Sequence, residues 1–251
     1  MNGNPRREDR RYSVMAGVAF VFALIAMLVI VAGVFSARMG IVAQLTGFGI
    51  FAIGQVLALA ALLVSLVGLM RTRHGGRAGR GRAVAGLTLS VILLLPLAFF
   101  LPAALRVPPI HDITTDTQDP PQFDALAALR TEAENDLTYA GPPVANLQQE
   151  AYPDIAPLVL PLSPAQAFKK ATSVAAELGW QIVSADPETG HIEAVDETLL
   201  FGFKDDIAIR ITTDETGAAK IDIRSASRVG ESDLGANARR IKQFMQALQD
   251  S

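Results

Sequence analysis

The sequence predicts an α+β protein, a three-helix transmembrane anchor followed by a two-layer domain in which two helices pack an antiparallel sheet. Three observations predict it. Three long apolar runs without a charged residue fill most of the chain before about residue 105, and an ordinary soluble composition follows. Beyond Pro157, apolar residues recur at helical spacing, then in strand alternation, then at helical spacing again. Cap and turn residues mark each change of period.

The anchor occupies residues 1–106, with spans at about 13–36, 41–70 and 83–105. A bilayer core needs about 20 apolar residues in a helix. The first run, Ser13–Ser36, is too long for a signal peptide, whose apolar region covers about 7–15 residues. The third contains Pro96 and Pro102, which neighbouring helices can accommodate in a span. Gln55 is the most polar core residue and is expected to bond across helices. Gly47, Gly49 and Gly54 read as points of close helix contact.

Arginines set the expected orientation. Arg6, Arg7, Arg10 and Arg11 precede span one, and Arg71, Arg73, Arg77, Arg80 and Arg82 follow span two. Only Arg38 lies between spans one and two, and Arg106 follows span three. Basic segments stay in the cytoplasm, which places the N-terminus inside and everything after Arg106 in the periplasm. The expected site is the bacterial inner (plasma) membrane.

Residues 107–156 read as an extended proline-rich arm. Phe123–Glu134 has the spacing of a short helix, and Asn135–Pro157 reads as irregular, with Tyr139 and Tyr152 as anchors. Residues 157–251 form the expected soluble α+β domain. Leu158–Leu160 is a short strand, and Ser163-Pro-Ala-Gln166 is a capping box. Phe168, Ala171, Ala175 and Leu178 give one helix face, which Gly179 closes. Strands follow from Trp180 to Ala185, His191 to Asp196, Asp206 to Thr213 and Lys220 to Arg228, a four-strand meander. Ile207, Ile209, Ile211, Ile221 and Ile223 point inward, leaving Asp206, Arg210, Asp222, Arg224 and Arg228 outward. A last helix is expected from Ser232 as N-cap, with Leu234, Ala238, Ile241, Met245 and Leu248 as its stripe.

The composition excludes several functions. A net charge of -3 gives no basic surface for nucleic acid. With no cysteine there is no disulfide, thiolate nucleophile or thiolate metal site. His111-Asp112 and the lone His191 match no zinc spacing, so neither metal nor cofactor is expected.

Ala151-Tyr-Pro-Asp-Ile-Ala-Pro157, Gly179-Trp180, Phe201-Gly-Phe-Lys-Asp-Asp206 and Ser225–Ile241 resemble the family called domain of unknown function 1499 (DUF1499). The resemblance covers about residues 108–250, and the three-span anchor resembles a common bacterial arrangement of that family. It implies a fold and a location but no established activity. More distantly, the order helix, Gly-Trp, strand, turn, strand is similar to the helix-grip domains of an outer-membrane assembly lipoprotein, making the domain helix-grip-like. Other branches of the family carry an Asn-Cys pair near Ile110-His111. It is missing here, so no cysteine role carries over.

Three stretches are candidates for binding. The first is the charged sheet face, Asp206, Arg210, Asp222, Arg224 and Arg228 with Asp205 beside it, which reads either as a carboxylate or phosphate site or as a solvated charge ladder. The second is the turn from Arg228 through Asn237, Arg239 and Arg240, which reads as an anion site or as a strand-to-helix cap. The third is Phe201-Gly-Phe203 after Leu199-Leu200, a core strand or an apolar lip for lipid or protein. No nucleophile, base and oxyanion set can be assembled, so no catalytic residue is assigned. The expected function is a membrane-anchored binding or scaffolding protein of the cell envelope, with the lipid bilayer and an envelope protein or lipid as partners. The alternatives are a small anionic-ligand or lipid-binding module, and a metal-assisted hydrolase at His111.

Overall fold

The computed structural model describes residues 12–73 and 78–250. The arginines of residues 2–11 and Arg77 lie outside them. The chain divides into two compact units, with the boundary between Pro102 and Ala103.

The first unit holds three helices long and apolar enough to cross a membrane. They are α1 (Val14–Arg38), α2 (Gln44–Thr72) and α3 (Arg80–Ala104). Each is offset by a few residues from its expected span. Ser13 caps α1 by accepting the Ala16 N–H at 3.4 Å. Their buried stripes consist of small residues: Ala16, Ala19, Ala23, Ala26, Gly33 and Ala37 on α1, and Gly47, Gly54, Ala58, Ala61 and Gly68 among those on α2. Small residues let backbones approach where no hydrophobic effect drives helices together. A Cβ on Gly33 would lie 2.7 Å from both the Gly47 carbonyl oxygen and the Phe51 nitrogen. Gln55 departs from expectation. It is 4% exposed, and neither amide atom has a hydrogen-bond partner. Its neighbours on the buried stripe, Gly54 and Ala58, carry no polar side-chain group to meet it.

The second unit contains β1 (Asp112–Thr114), α4 (Pro142–Ala151), β2 (Leu158–Leu160), α5 (Pro164–Glu177), β3 (Gln181–Asp186), β4 (His191–Glu197), β5 (Lys204–Thr213), β6 (Ala219–Ser227) and α6 (Ala236–Asp250). The sheet has six antiparallel strands in the order β1-β6-β5-β4-β3, with β2 also paired to β6. Its β6 edge is therefore completed by two short strands in series, β2 against Ala219–Ile221 and β1 against Arg224–Ala226. Gln148 of α4 extends that edge, accepting the Thr114 N–H at 3.0 Å and donating to the Thr114 carbonyl at 2.7 Å. A paired edge offers no template for another strand.

Helices α5 and α6 cover one sheet face. Ile192, Ala194, Ile207, Ile209, Ile211, Ile221 and Ile223 meet Phe168, Ala171, Ile241, Phe244 and Leu248 there. Trp180 stacks on Phe244 with ring centroids 5.2 Å apart. The expected capping box at Ser163 and Gln166 is present, and Gly179 ends the helix at φ +84°.

Four expectations are corrected. Beyond the expected strands, β1 lies in the arm and pairs with β6. Asn135–Pro157 contains α4, which Pro142 and Pro143 start as favoured first-turn residues. Phe123–Glu134 forms only a 3-10 turn at Ala127–Leu129, because Phe123 and Leu126 serve a second core. That core lies on the opposite sheet face against Val195, Ala208 and Ala226, so the arm covers part of the face read as solvated. Helix α6 starts at Ala236 rather than after Ser232. Asp233 accepts the Gly235 and Asn237 N–H groups at 2.7 and 2.8 Å and so satisfies the helix start.

Candidate functional site: the arm-covered sheet face and the turn before the last helix

The strand alternation points Arg224 away from the helices, and the arm then encloses it. Arg224 is 0% exposed. Its Nε and Nη2 donate to the two Asp112 carboxylate oxygens at 3.0 and 2.7 Å. Nη1 donates to the Pro121 carbonyl at 3.2 Å and Nη2 to the Leu137 carbonyl at 2.6 Å. The guanidinium also lies over the rings of Phe123 and Tyr139, at 4.8 and 5.6 Å from their centroids. One side chain thus ties five arm residues to the sheet. The Tyr139 hydroxyl is buried without a partner. Burial and the Asp112 charge push it up to about 12, against the opposing pull of Arg224.

Asp222 is buried beside it. It accepts from Thr115 Oγ1 and Arg210 Nη2, each at 3.3 Å, and pairs with Lys220 at 3.3 Å. Arg210 also donates to the Asp119 carboxylate and carbonyl, both at 2.7 Å. Burial pushes the Asp116 carboxyl up, but N–H groups of Asp119 and Gln118 and the Lys220 ammonium outweigh it and hold it below its usual value.

Asp206, also buried, receives Arg130 Nε at 2.6 Å and Arg228 at 2.9 and 2.8 Å. Glu193 accepts the consecutive N–H groups of Asp124, Ala125 and Leu126 at 3.0, 2.9 and 2.8 Å. A buried carboxylate is tolerable in such a cradle because charge-assisted bonds replace its hydration. Asp124, His191 and Glu193 bring ligand-type atoms within 4.8 Å of one another. Yet both Glu193 oxygens are occupied by N–H groups, and His191 Nε2 contacts the Gln122 carbonyl at 3.0 Å. The donor set serves the arm.

At the second predicted stretch, Arg240 is buried and reaches the Asp205 carboxylate at 2.6 Å and the Asp196 carboxylate at 2.7 Å. Its Nη1 donates to Ser225 Oγ at 3.0 Å and Asn237 Oδ1 at 2.5 Å. Asn237 Nδ2 donates to the His111 carbonyl and to Ser227 Oγ at 2.9 and 3.0 Å. Burial pushes the Asp233 carboxyl up, with Asp205 adding to it, against the N–H bonds from Asn237 and Gly235. Arg239 is exposed and donates to the Leu234 carbonyl at 3.0 Å.

At the third stretch Phe201 is buried and Phe203 half-buried, with ring centroids 5.9 Å apart, while Leu199 and Leu200 stand exposed. A cleft of about 370 Å³ opens beside α4, lined by Thr117, Gln118, Tyr139, Pro142, Asn146 and Gln149 among others.

The structure therefore gathers Arg224, Arg210, Asp206 and Arg228 under the arm, and Asp205, Asn237 and Arg240 at the start of α6. Arg239 acts on the Asp233 carboxyl beside the α6 group, and the Phe201–Phe203 pair lies in the β4–β5 turn. His111 contributes its one carbonyl, which accepts from Asn237 Nδ2 and Ser227 N, to the α6 group, while Asp112 belongs to Arg224. Sequence reasoning missed Arg130, Glu193 and Gln148. Only the alanines Ala208 and Ala226, small residues at outward strand positions, signalled that another segment packs there. Chemically the arrangement fixes charge, because Asp112, Asp206, Asp222 and Glu193 are each held by a cation or by backbone N–H groups.

The family model described as protein of unknown function (DUF1499) matches residues 112–248, more than half of the 251 residues. No curated protein matches the chain.

Proposed function

We propose that this chain, which belongs to the DUF1499 family, is a membrane-anchored binding or scaffolding protein of the bacterial cell envelope. In this reading the N-terminus is cytoplasmic and residues 107–251 are displayed in the periplasm, following the arginine distribution of the loops. Domain boundaries at 106 and 156 separate anchor, arm and folded domain. The observation that carries the reading is the burial of the charged sheet face. Arg224, Asp206 and Asp222 are covered by the arm and bound within the protein, which suits a rigid display domain and supplies no poised acid or base. Crosslinking of the full chain in native membranes, followed by mass spectrometry, tests it. A reproducible envelope protein or lipid adduct is expected; its absence would count against the reading.

A second reading, small-ligand binding, is favoured by the cleft beside α4. Its lining is uncharged, with Asn146 and Gln149 exposed, and suits a neutral polar ligand. The anion site at Arg228, Asn237, Arg239 and Arg240 is the other form of this reading, and Arg239 is its exposed cation. A thermal-shift screen of the detergent-solubilised chain against phosphate and against neutral saccharides separates the two forms. Arg239→Ala should abolish only a phosphate response, and Asn146→Ala only a saccharide response.

A further inference from the structure

The two ends of the sheet differ in chemistry. One end carries the turns Asp186-Pro-Glu-Thr-Gly190 and Asp214-Glu-Thr-Gly217, in which each aspartate accepts turn N–H groups. Both turns present acids and hydroxyls. The other end carries the β4–β5 turn, where Leu199 is 83% and Leu200 53% exposed. That turn is well held. Thr198 N donates to the Phe203 carbonyl at 2.8 Å, Gly202 N to the Thr198 carbonyl at 3.0 Å and Phe203 N to Thr198 Oγ1 at 2.9 Å. Phe201 is buried beside the pair, so this turn has an apolar base that holds two leucines outward.

The same end carries Leu234, 42% exposed, with φ +52°. Among the described residues it is the one non-glycine with positive φ. A left-handed conformation is strained for a leucine, whose Cβ crowds the following carbonyl oxygen, and such strain gathers at functional positions. The segment leading from α3 meets the sheet at this end too: Asp233 N donates to the Ile110 carbonyl at 3.2 Å and Ser227 N to the His111 carbonyl at 2.9 Å. Only the six residues Leu105–Ile110 lie between α3 and His111, and they reach about 20 Å fully extended.

The geometry points to a lipid-docking face: Leu199, Leu200 and Leu234 enter the interfacial zone of the bilayer, and Lys204 and Arg239 meet lipid phosphates. The short tether favours lipid over a protein partner, because it keeps this end close to the membrane that the chain's own apolar helices suit. Glu197 and Glu231 are exposed at the same end, so the leucines lead the contact and neutral lipid is sufficient. The inference rests on the membrane anchoring of the proposed function but not on any envelope partner.

The chain has no cysteine, so single labels are unambiguous. The full chain with Leu200→Cys carries an environment-sensitive fluorophore in phosphatidylcholine vesicles, with and without added phosphatidylglycerol. Thr216→Cys, in the acidic turn at the other end, is the reference. Blue-shifted emission and quenching by acyl-chain spin labels are expected at 200 and not at 216, in both vesicle types. Leu199→Asp together with Leu234→Gly should abolish the quenching, and Leu234→Gly also relieves the strained backbone, so folding is preserved. Equal solvent exposure at the two labels overturns the proposal. So does shielding at 200 that appears in native membranes but never in pure lipid, which would identify a protein occupant. Membrane insertion itself is read separately from co-sedimentation with the vesicles, so a failed docking leaves the anchoring reading standing.

Discussion

At the scale of single residues, stability in the folded unit turns on Arg224. Its guanidinium meets the Asp112 carboxylate, two backbone carbonyls and two aromatic rings at once. Truncation leaves a buried charge without a partner, a change that typically costs about 3–5 kcal/mol. Arg224→Ala should therefore lower stability by about that much in denaturant unfolding of the full chain. Arg224→Met with Asp112→Leu should recover most of the loss, because an apolar pair pays no desolvation. If the double variant is as unstable as the single, the carbonyl and ring contacts matter more than the charge pair. Tyr139 behaves oppositely. Its hydroxyl has no partner, so Tyr139→Phe should change stability by no more than about 1 kcal/mol. The phenol is raised to about 12 in the fold, against 10.0 for the unperturbed group. The folded state thus holds its proton more tightly, so its contribution is complete below pH 10 and is lost as pH rises from there through about 12. A spectrophotometric titration of tyrosinate should lose its component near 12 in Tyr139→Phe.

At the scale of elements, a tight geometric constraint is the approach of α1 to α2. A Cβ on Gly47 would meet the Ala37 side chain and lie 2.7 Å from the Gly33 carbonyl oxygen. Gly47→Leu should separate the two helices, while Gly49→Leu, whose Cβ meets nothing within 4 Å, should not. Thermal unfolding of the detergent-solubilised chain would read the difference, with a lowered midpoint expected only for Gly47→Leu. Gly47 and Gly54 were legible as close contacts, but the same reading of Gly49 is corrected, because it faces open space. The sheet was legible too, since the alternation from Ile207 to Ile211 and from Ile221 to Ile223 places each strand and its inward face. What local pattern did not reveal was the cover on the other face. Asp206, Asp222 and Arg224 look like solvated charges in any window of their own strands. Their partners, Arg130, Thr115 and Asp112, lie about 75–110 residues earlier in a proline-rich segment with no period of its own. The misplaced start of α6 has a local cause. Leu234 and Gly235 both take positive φ, which ends the turn before the helix begins, and a spacing argument from Ser232 assumes that the backbone runs straight on.

At the scale of the whole molecule, orientation decides which compartment the folded unit meets. The loop arginines predict that residues after Arg106 face outward and that the segment between α2 and α3 faces inward. The cysteine-free sequence permits a direct test on the full chain in intact cells. Thr216→Cys lies in an exposed turn and should react with a membrane-impermeant maleimide without permeabilisation. Ala78→Cys, between α2 and α3, should react only after the membrane is opened. The reverse pattern would place the domain in the cytoplasm and remove the envelope reading, while leaving the fold, the arm and the family membership as they are. A charge-neutralising variant sharpens the cause. Replacing Arg71, Arg73, Arg80 and Arg82 by glutamine removes the described arginines of the inward segment but no contact of the folded unit. If arginine bias sets orientation, a mixed population should appear in which Ala78→Cys becomes labelled in intact cells. If labelling is unchanged, the N-terminal arginines or the length of the outward domain fixes the topology instead, since long domains translocate largely regardless of charge.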